Sequence, residues 1–190
     1  MDEGDLAGFL TLARKGDEVG FAVLWRAYQP VILRYLRLLV GEAAEDVASE
    51  TWLQVARDLS TFRGELAGFR VWLFRVARHR AIDDRRRVRR RPEDLVEPDW
   101  LPERRYAPDP GDEVAERLDT EWALAVIATL PPDQAEAVLL RAVAGLDVAG
   151  AAAVLGKRPG AVRVAALRGL RRLAERAEVR ARRAPDRERV

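Results

Sequence analysis

Two sets of arginines carry most of the chemistry available to this 190-residue chain. In the first, Arg75, Arg78, Arg85, Arg86 and Arg89 recur at helical spacing just beyond Phe69, Trp72 and Phe74. Guanidinium groups hold phosphates and aromatic faces stack on unpaired bases, so this mixture suits a single strand or a duplex being opened. Taken singly, Phe69 and Trp72 are more simply read as core. In the second set, Lys157 and Arg158 precede Arg163, Arg168 and Arg171. Covalent and metal chemistry is poorly supplied by comparison. The chain has no cysteine and a single histidine, His79, which leaves no disulfide, no thiolate and none of the usual zinc sites. Asp83 and Asp84 are adjacent, and neighbouring carboxylates on a helix point apart with no second cluster to complete a metal site. No catalytic residue, metal or cofactor is expected.

The charge is segregated along the chain, although its net value is only +2. Residues 70–91 hold ten arginines and two acids, and residues 157–190 hold twelve basic residues and four acids, so each block carries +8. Between them, residues 92–124 carry eleven acids and three arginines, a net −8. Two basic blocks separated by an acidic stretch suggest two contacts with a polyanion, joined by a segment that avoids one. Ten arginines in 22 residues also repel one another unless something anionic neutralises them.

The elements that must position these residues read as helices throughout. Phe21, Leu24, Trp25, Tyr28, Ile32, Tyr35, Leu36 and Leu39 follow three- and four-residue spacing, which predicts an amphipathic helix bent near Pro30 and ended by Gly41. A second helix is expected from about Ala44 to Leu59, burying Ala48, Trp52, Val55, Ala56 and Leu59. A third is expected from about Leu66 to Arg89, burying Phe69, Trp72, Leu73, Val76 and Ala77. From Pro92 to about Asp112 periodicity gives way to prolines and acids, the composition of an extended linker. A helix through Val114 to Leu130 follows, then one from Pro131-Pro132-Asp133 to Val143, stopped at Gly145.

The last pair of helices has the spacing of a helix-turn-helix. Asp147 caps a short helix to Leu155, Gly156 turns the chain and Pro159 opens a longer helix. Small residues in the first helix allow a close crossing. In the second, Val162, Ala166, Leu170 and Leu173 are expected in the core, leaving Arg163, Val164, Leu167, Arg168 and Arg171 to face a major groove. An ordinary helical hairpin with a solvated basic side is the plainer alternative, but it leaves unexplained why small residues, turn glycine and basic helix coincide. No run of about 20 apolar residues is present and the N-terminus lacks a basic leader, so no membrane span and a cytoplasmic location are expected.

Three ordered motifs carry a resemblance. They are Ala44-Glu-Asp-Val-Ala-Ser-Glu-Thr-Trp52, Phe62-Arg-Gly-Glu65, and Trp72-Leu-Phe-Arg-Val-Ala-Arg-His-Arg-Ala-Ile-Asp83, followed by Leu130-Pro-Pro132 and the helix-turn-helix. Together they resemble the extracytoplasmic-function sigma factors of the sigma-70 superfamily, over residues 18–91 and 118–176. The resemblance implies an all-α fold of two small domains, residues 1–91 and 118–190, joined by a flexible acidic, proline-rich linker over residues 92–117. It implies a non-enzymatic initiation factor that binds RNA polymerase core enzyme, directs it to promoters and assists their opening. Asp46, Glu50, Leu53, Gln54 and Arg57 would dock on the clamp helices of the largest polymerase subunit, and the second domain on the flap of the second-largest. Trp72, Arg75, Arg78, His79, Asp83, Arg85 and Arg86 would read and open the downstream, minus-10 element. Lys157, Arg158, Arg163, Val164, Leu167, Arg168 and Arg171 would bind the upstream, minus-35 element as duplex. The linker would thread towards the active-site cleft, and an anti-sigma factor is an expected partner. Departures from the family pattern are Ser49 for a usual glutamine, His79 for a frequent asparagine, Val164-Ala165 for a frequent serine–arginine pair, and Arg158 for a usual capping serine or threonine.

Two other classes compete. A one-component regulator would join a helix-turn-helix to an unrelated helical sensor, yet residues 70–91 look like a second DNA surface rather than a ligand pocket or dimer seam. A nuclease built on Asp83 and Asp84 would show magnesium-dependent cleavage.

Overall fold

The computed structural model describes residues 3–90 and 113–176, together with residue 179. The expected linker from 92 to 112 and the arginine-rich tail beyond Arg176 lie outside or almost outside those residues. Every regular element described is helical. Helix α1 (Glu3–Ala13) comes first and has no counterpart in the sequence expectations. Its inward residues, Leu6, Phe9, Leu10 and Ala13, do follow the three-to-four spacing of an amphipathic helix, in a short segment with few other apolar groups.

Helix α2 (Glu18–Val40) starts where the Asp17 carboxylate accepts a hydrogen bond from the Gly20 amide at 2.6 Å. It ends at Gly41, whose φ of 58° an L-residue rarely adopts. Pro30 lies inside it on an exposed side, and the helix runs on to Val40 despite the missing N–H. Helix α3 (Ala44–Asp58) packs between α2 and α4 (Leu66–Arg89), and the core is formed by Leu24, Ile32 and Leu36 of α2, Val47, Ala48 and Val55 of α3, and Phe69, Leu73 and Ala77 of α4. The bounds expected for α4 match, but Ala56 of α3 is exposed rather than buried. The buried stripe of α3 runs through Val47, Ala48, Thr51, Trp52 and Val55, and Ala56 lies one position beyond its edge.

The second module begins with α5 (Glu113–Ala128), within the C-terminal end of the span assigned to the linker. Helix α6 (Pro132–Val138) continues as a π-helical turn over Leu139–Val143, so the helical path reaches Val143 as expected but widens in its last turn. The Asp147 carboxylate caps α7 (Val148–Leu155) by accepting from the Gly150 amide at 2.6 Å. Gly156, left-handed at φ 64°, makes the turn, and α8 (Pro159–Glu175) follows with proline in its first turn.

Leu170 corrects the expected core of α8, because it is 49% exposed. Gly169 takes the buried place instead, and a Cβ there would stand 2.7 Å from Val138 Cγ2. The close approach of α8 to α6 turns the helix so that Val162, Ala166 and Gly169 face inward and Leu170 is carried to the outside. The two modules also share a continuous apolar core, with α7 lying against α4.

Candidate nucleic-acid interfaces

A 3.6-residue helix sorts the residues expected on α4 into two stripes. Trp72, Arg75, His79, Asp83 and Arg86 follow one another at spacings of three, four, four and three, and therefore share a face. The last four are exposed, and Trp72 is half-buried. Trp72 is held by an aromatic cluster: its ring stacks on Phe62 at 5.2 Å between centroids, and Phe69 touches both from 5.9 Å. A platform edge followed by guanidinium, imidazole and a second guanidinium can stack on a base and hold the phosphates beside it.

Arg78 and Arg85, seven residues apart, form the neighbouring stripe. Arg78 is turned towards the second module, where its Nε donates to Glu136 Oε1 at 3.0 Å. Burial works to lower its pKa, but the hydrogen bond and charge of Glu136 outweigh that and raise it. The arginine block is thus partly neutralised from within the chain. Arg80 donates to Gln54 at 2.9 Å, Arg86 pairs with Asp83 at 3.8 Å, and Arg87 pairs with Asp84 at 2.8 Å and Glu50 at 3.6 Å. These internal partners offset part of the mutual repulsion along α4.

Asp46, Glu50, Leu53, Gln54 and Arg57 do lie on one face of α3. Asp46 and Arg57 are exposed and Leu53 is 66% exposed, whereas Glu50 and Gln54 are partly engaged by α4. A large apolar side chain left in water among charges is the composition of a contact surface.

On α8, Arg163, Val164, Leu167, Arg168 and Arg171 are all exposed. Leu170, which the sequence reading placed inside, joins them and extends the apolar strip of Leu167 along the same side as Arg163. Arginines beside an apolar strip offer guanine edges a bidentate donor and thymine methyls a dry contact. Arg158 is exposed at the start of the helix, where it makes no side-chain cap, and Lys157 pairs with Asp133 of α6 at 2.7 Å.

The helices that carry both surfaces fall within segments matched by family models. The Sigma-70 region 2 family model matches residues 24–91, and the Sigma-70, region 4 model matches residues 120–173. The ECF RNA polymerase sigma factor ShbA of Streptomyces griseus is 34% identical, with 93% of this chain and 98% of that protein covered. The chain belongs to the extracytoplasmic-function sigma factors. Sigma factor SigD of Mycobacterium tuberculosis is 32% identical over 83% of this sigma factor and 77% of its own length, and BldN of Streptomyces coelicolor is 33% identical, with 91% of this chain matched to 66% of that protein. Among solved structures, RpoE in complex with the anti-sigma factor NepR from Bartonella quintana has a TM-score of 0.61 at 23% identity, covering 82% of this chain and 94% of that one. CnrH in complex with the cytosolic domain of CnrY has a TM-score of 0.59 at 23% identity, covering 87% and 92%. These two share the fold. As a sigma factor the protein binds RNA polymerase and directs it to specific promoters. The region 2 match over α4 sets aside the one-component regulator, whose helical half would be an unrelated sensor. No described helix is long and apolar enough to cross a membrane.

Proposed function

We propose that this sigma factor divides promoter recognition between two helices and reaches the polymerase through a third. The α3 face of Asp46, Glu50, Leu53, Gln54 and Arg57 docks on the clamp helices of the largest subunit, and the second module sits on the flap of the second-largest. The α4 face of Trp72, Arg75, His79, Asp83 and Arg86, with Arg78 and Arg85 beside it, captures the minus-10 element as its strands part. The α8 face binds the minus-35 element as duplex. The protein acts in the cytoplasm without chemistry of its own, and an anti-sigma factor is its expected antagonist. The observation that carries this reading is the α4 stripe, where an aromatic platform and exposed arginines share one face beside a separate basic recognition helix.

The docking assignment is tested by Asp46→Arg with Glu50→Arg in the full chain. Both side chains reach solvent, so helical content by circular dichroism should change little. Co-elution with core polymerase should be lost, and wild-type affinity in the double variant would refute the assignment.

A further inference from the structure

The outward line of α8 begins without a hydrogen-bonding side chain. Gly160, Val164 and Leu167 follow one another at spacings of four and three, opposite the buried Val162, Ala166 and Gly169, and Ala161 is exposed beside them. Val164 is 45% and Leu167 47% exposed, so neither is spent on the core. Arg163 and Arg168 lie on opposite flanks of this line. Packing does not call for the glycine, since a Cβ on Gly160 would meet no described atom within 4 Å and its φ is not positive. What a bare Gly160 does allow is close approach of the backbone to whatever the helix meets. In a helix-turn-helix the N-terminal residues of the second helix are the ones that reach base edges in the major groove. Those edges present amino, carbonyl and ring-nitrogen groups and a single apolar group, the C5-methyl of thymine. Valine and leucine pressed against the polar groups would strip them of water and give no hydrogen bond in return, whereas against the methyl they lose nothing.

We propose that α8 reads its duplex through thymine methyl groups, with Val164 and Leu167 as the specificity-determining residues and Gly160 admitting the helix to the depth they need. The proposal rests on the assignment of α8 to the minus-35 element. Arg163 and Arg168 anchor the helix from either side, on phosphates or on guanine edges next to the thymines. The same flanking charge favours DNA over a protein as the occupant of the apolar line. A protein covering Val164 and Leu167 would have to take two guanidinium groups out of water as well, while a duplex supplies phosphates on both sides of the groove.

Deoxyuridine differs from thymidine by that methyl alone, which gives a direct test. The full chain assembled with core polymerase selects from duplexes randomised over the upstream element, and the enriched duplex is resynthesised with deoxyuridine at its upstream thymines. Affinities for both duplexes are then measured at fixed salt. The enriched element should contain thymine, and the exchange should weaken wild-type binding about fourfold for each methyl read, the worth of one buried methyl group. Val164→Ala and Leu167→Ala should bind the thymine duplex more weakly and lose less on the exchange than wild type does. Val19→Ala, an equally exposed apolar truncation on α2, should behave as wild type, and Arg163→Ala should weaken both duplexes by the same factor. Equal wild-type affinity for the two duplexes would overturn methyl readout, as would an undiminished loss in both Val164→Ala and Leu167→Ala, which would assign the effect to duplex shape. In either case continued weakening by Arg163→Ala would leave α8 on the upstream element, with a protein partner as the occupant of its apolar line. If no upstream sequence were enriched, or if Arg163→Ala and both apolar variants bound as wild type, the assignment of α8 would fail and take the proposal with it.

Discussion

Arg163 and Arg168 illustrate how much a single side chain can decide. Both project from the exposed side of α8 with no described structural duty, so their loss should act on DNA and not on folding. Changing either to alanine should weaken binding to the preferred duplex by about 1–3 kcal/mol if the contact is bidentate to guanine, read by anisotropy at fixed salt. Gly169 behaves oppositely. Gly169→Ala places a methyl 2.7 Å from Val138 Cγ2, and the overpacking should cost about 1–3 kcal/mol, partly offset by better helix propensity. An unchanged melting temperature would show that α6 and α8 separate more easily than their packing implies. The exposed residues of this surface were legible because arginine at helical spacing is a visible pattern. Glu136 was not singled out, although one acid within Gln134-Ala-Glu-Ala-Val-Leu-Leu140 is a readable anomaly. An acid on an otherwise apolar face needs a partner, and its partners, 101 and 58 positions away, are not recoverable from local sequence.

At the scale of the element, caps and turns explain why the helix boundaries could be read so closely. Gly41, Asp147, Gly156 and Pro159 sit where the structure stops, starts or turns the chain. Asp147→Ala should therefore cost about 1 kcal/mol, because the Gly150 amide loses its acceptor at the start of the helix-turn-helix. Gly156→Ala should cost about 1–2 kcal/mol from the left-handed conformation alone. Both are checked by thermal denaturation. Helix rotation was harder to read than helix extent. Periodicity gave α8 a buried face containing Leu170, but a glycine one position earlier lets α6 approach and redefines which side is inside. For α1, apolar residues at the right spacing were present, yet so short a stretch is marginal as an isolated helix and is stabilised by packing on α2.

For the whole molecule, the sequence supported two helical modules with a basic helix in each, and the region 2 and region 4 matches agree with that division. What the sequence did not show was how the modules meet, since α7 packs on α4 through residues far apart in the chain, such as Val71 and Gly150. The functional account depends on the modules acting on different states of DNA, one on duplex and the other on strands as they part. The most direct measurement is run-off transcription with core polymerase on two templates that differ only in a pre-melted minus-10 bubble. Arg75→Ala and His79→Ala on α4 should fail on the duplex template and recover on the bubble. Arg163→Ala and Arg168→Ala on α8 should stay impaired on both. Equal recovery of both classes on the bubble would contradict the division of labour between α4 and α8.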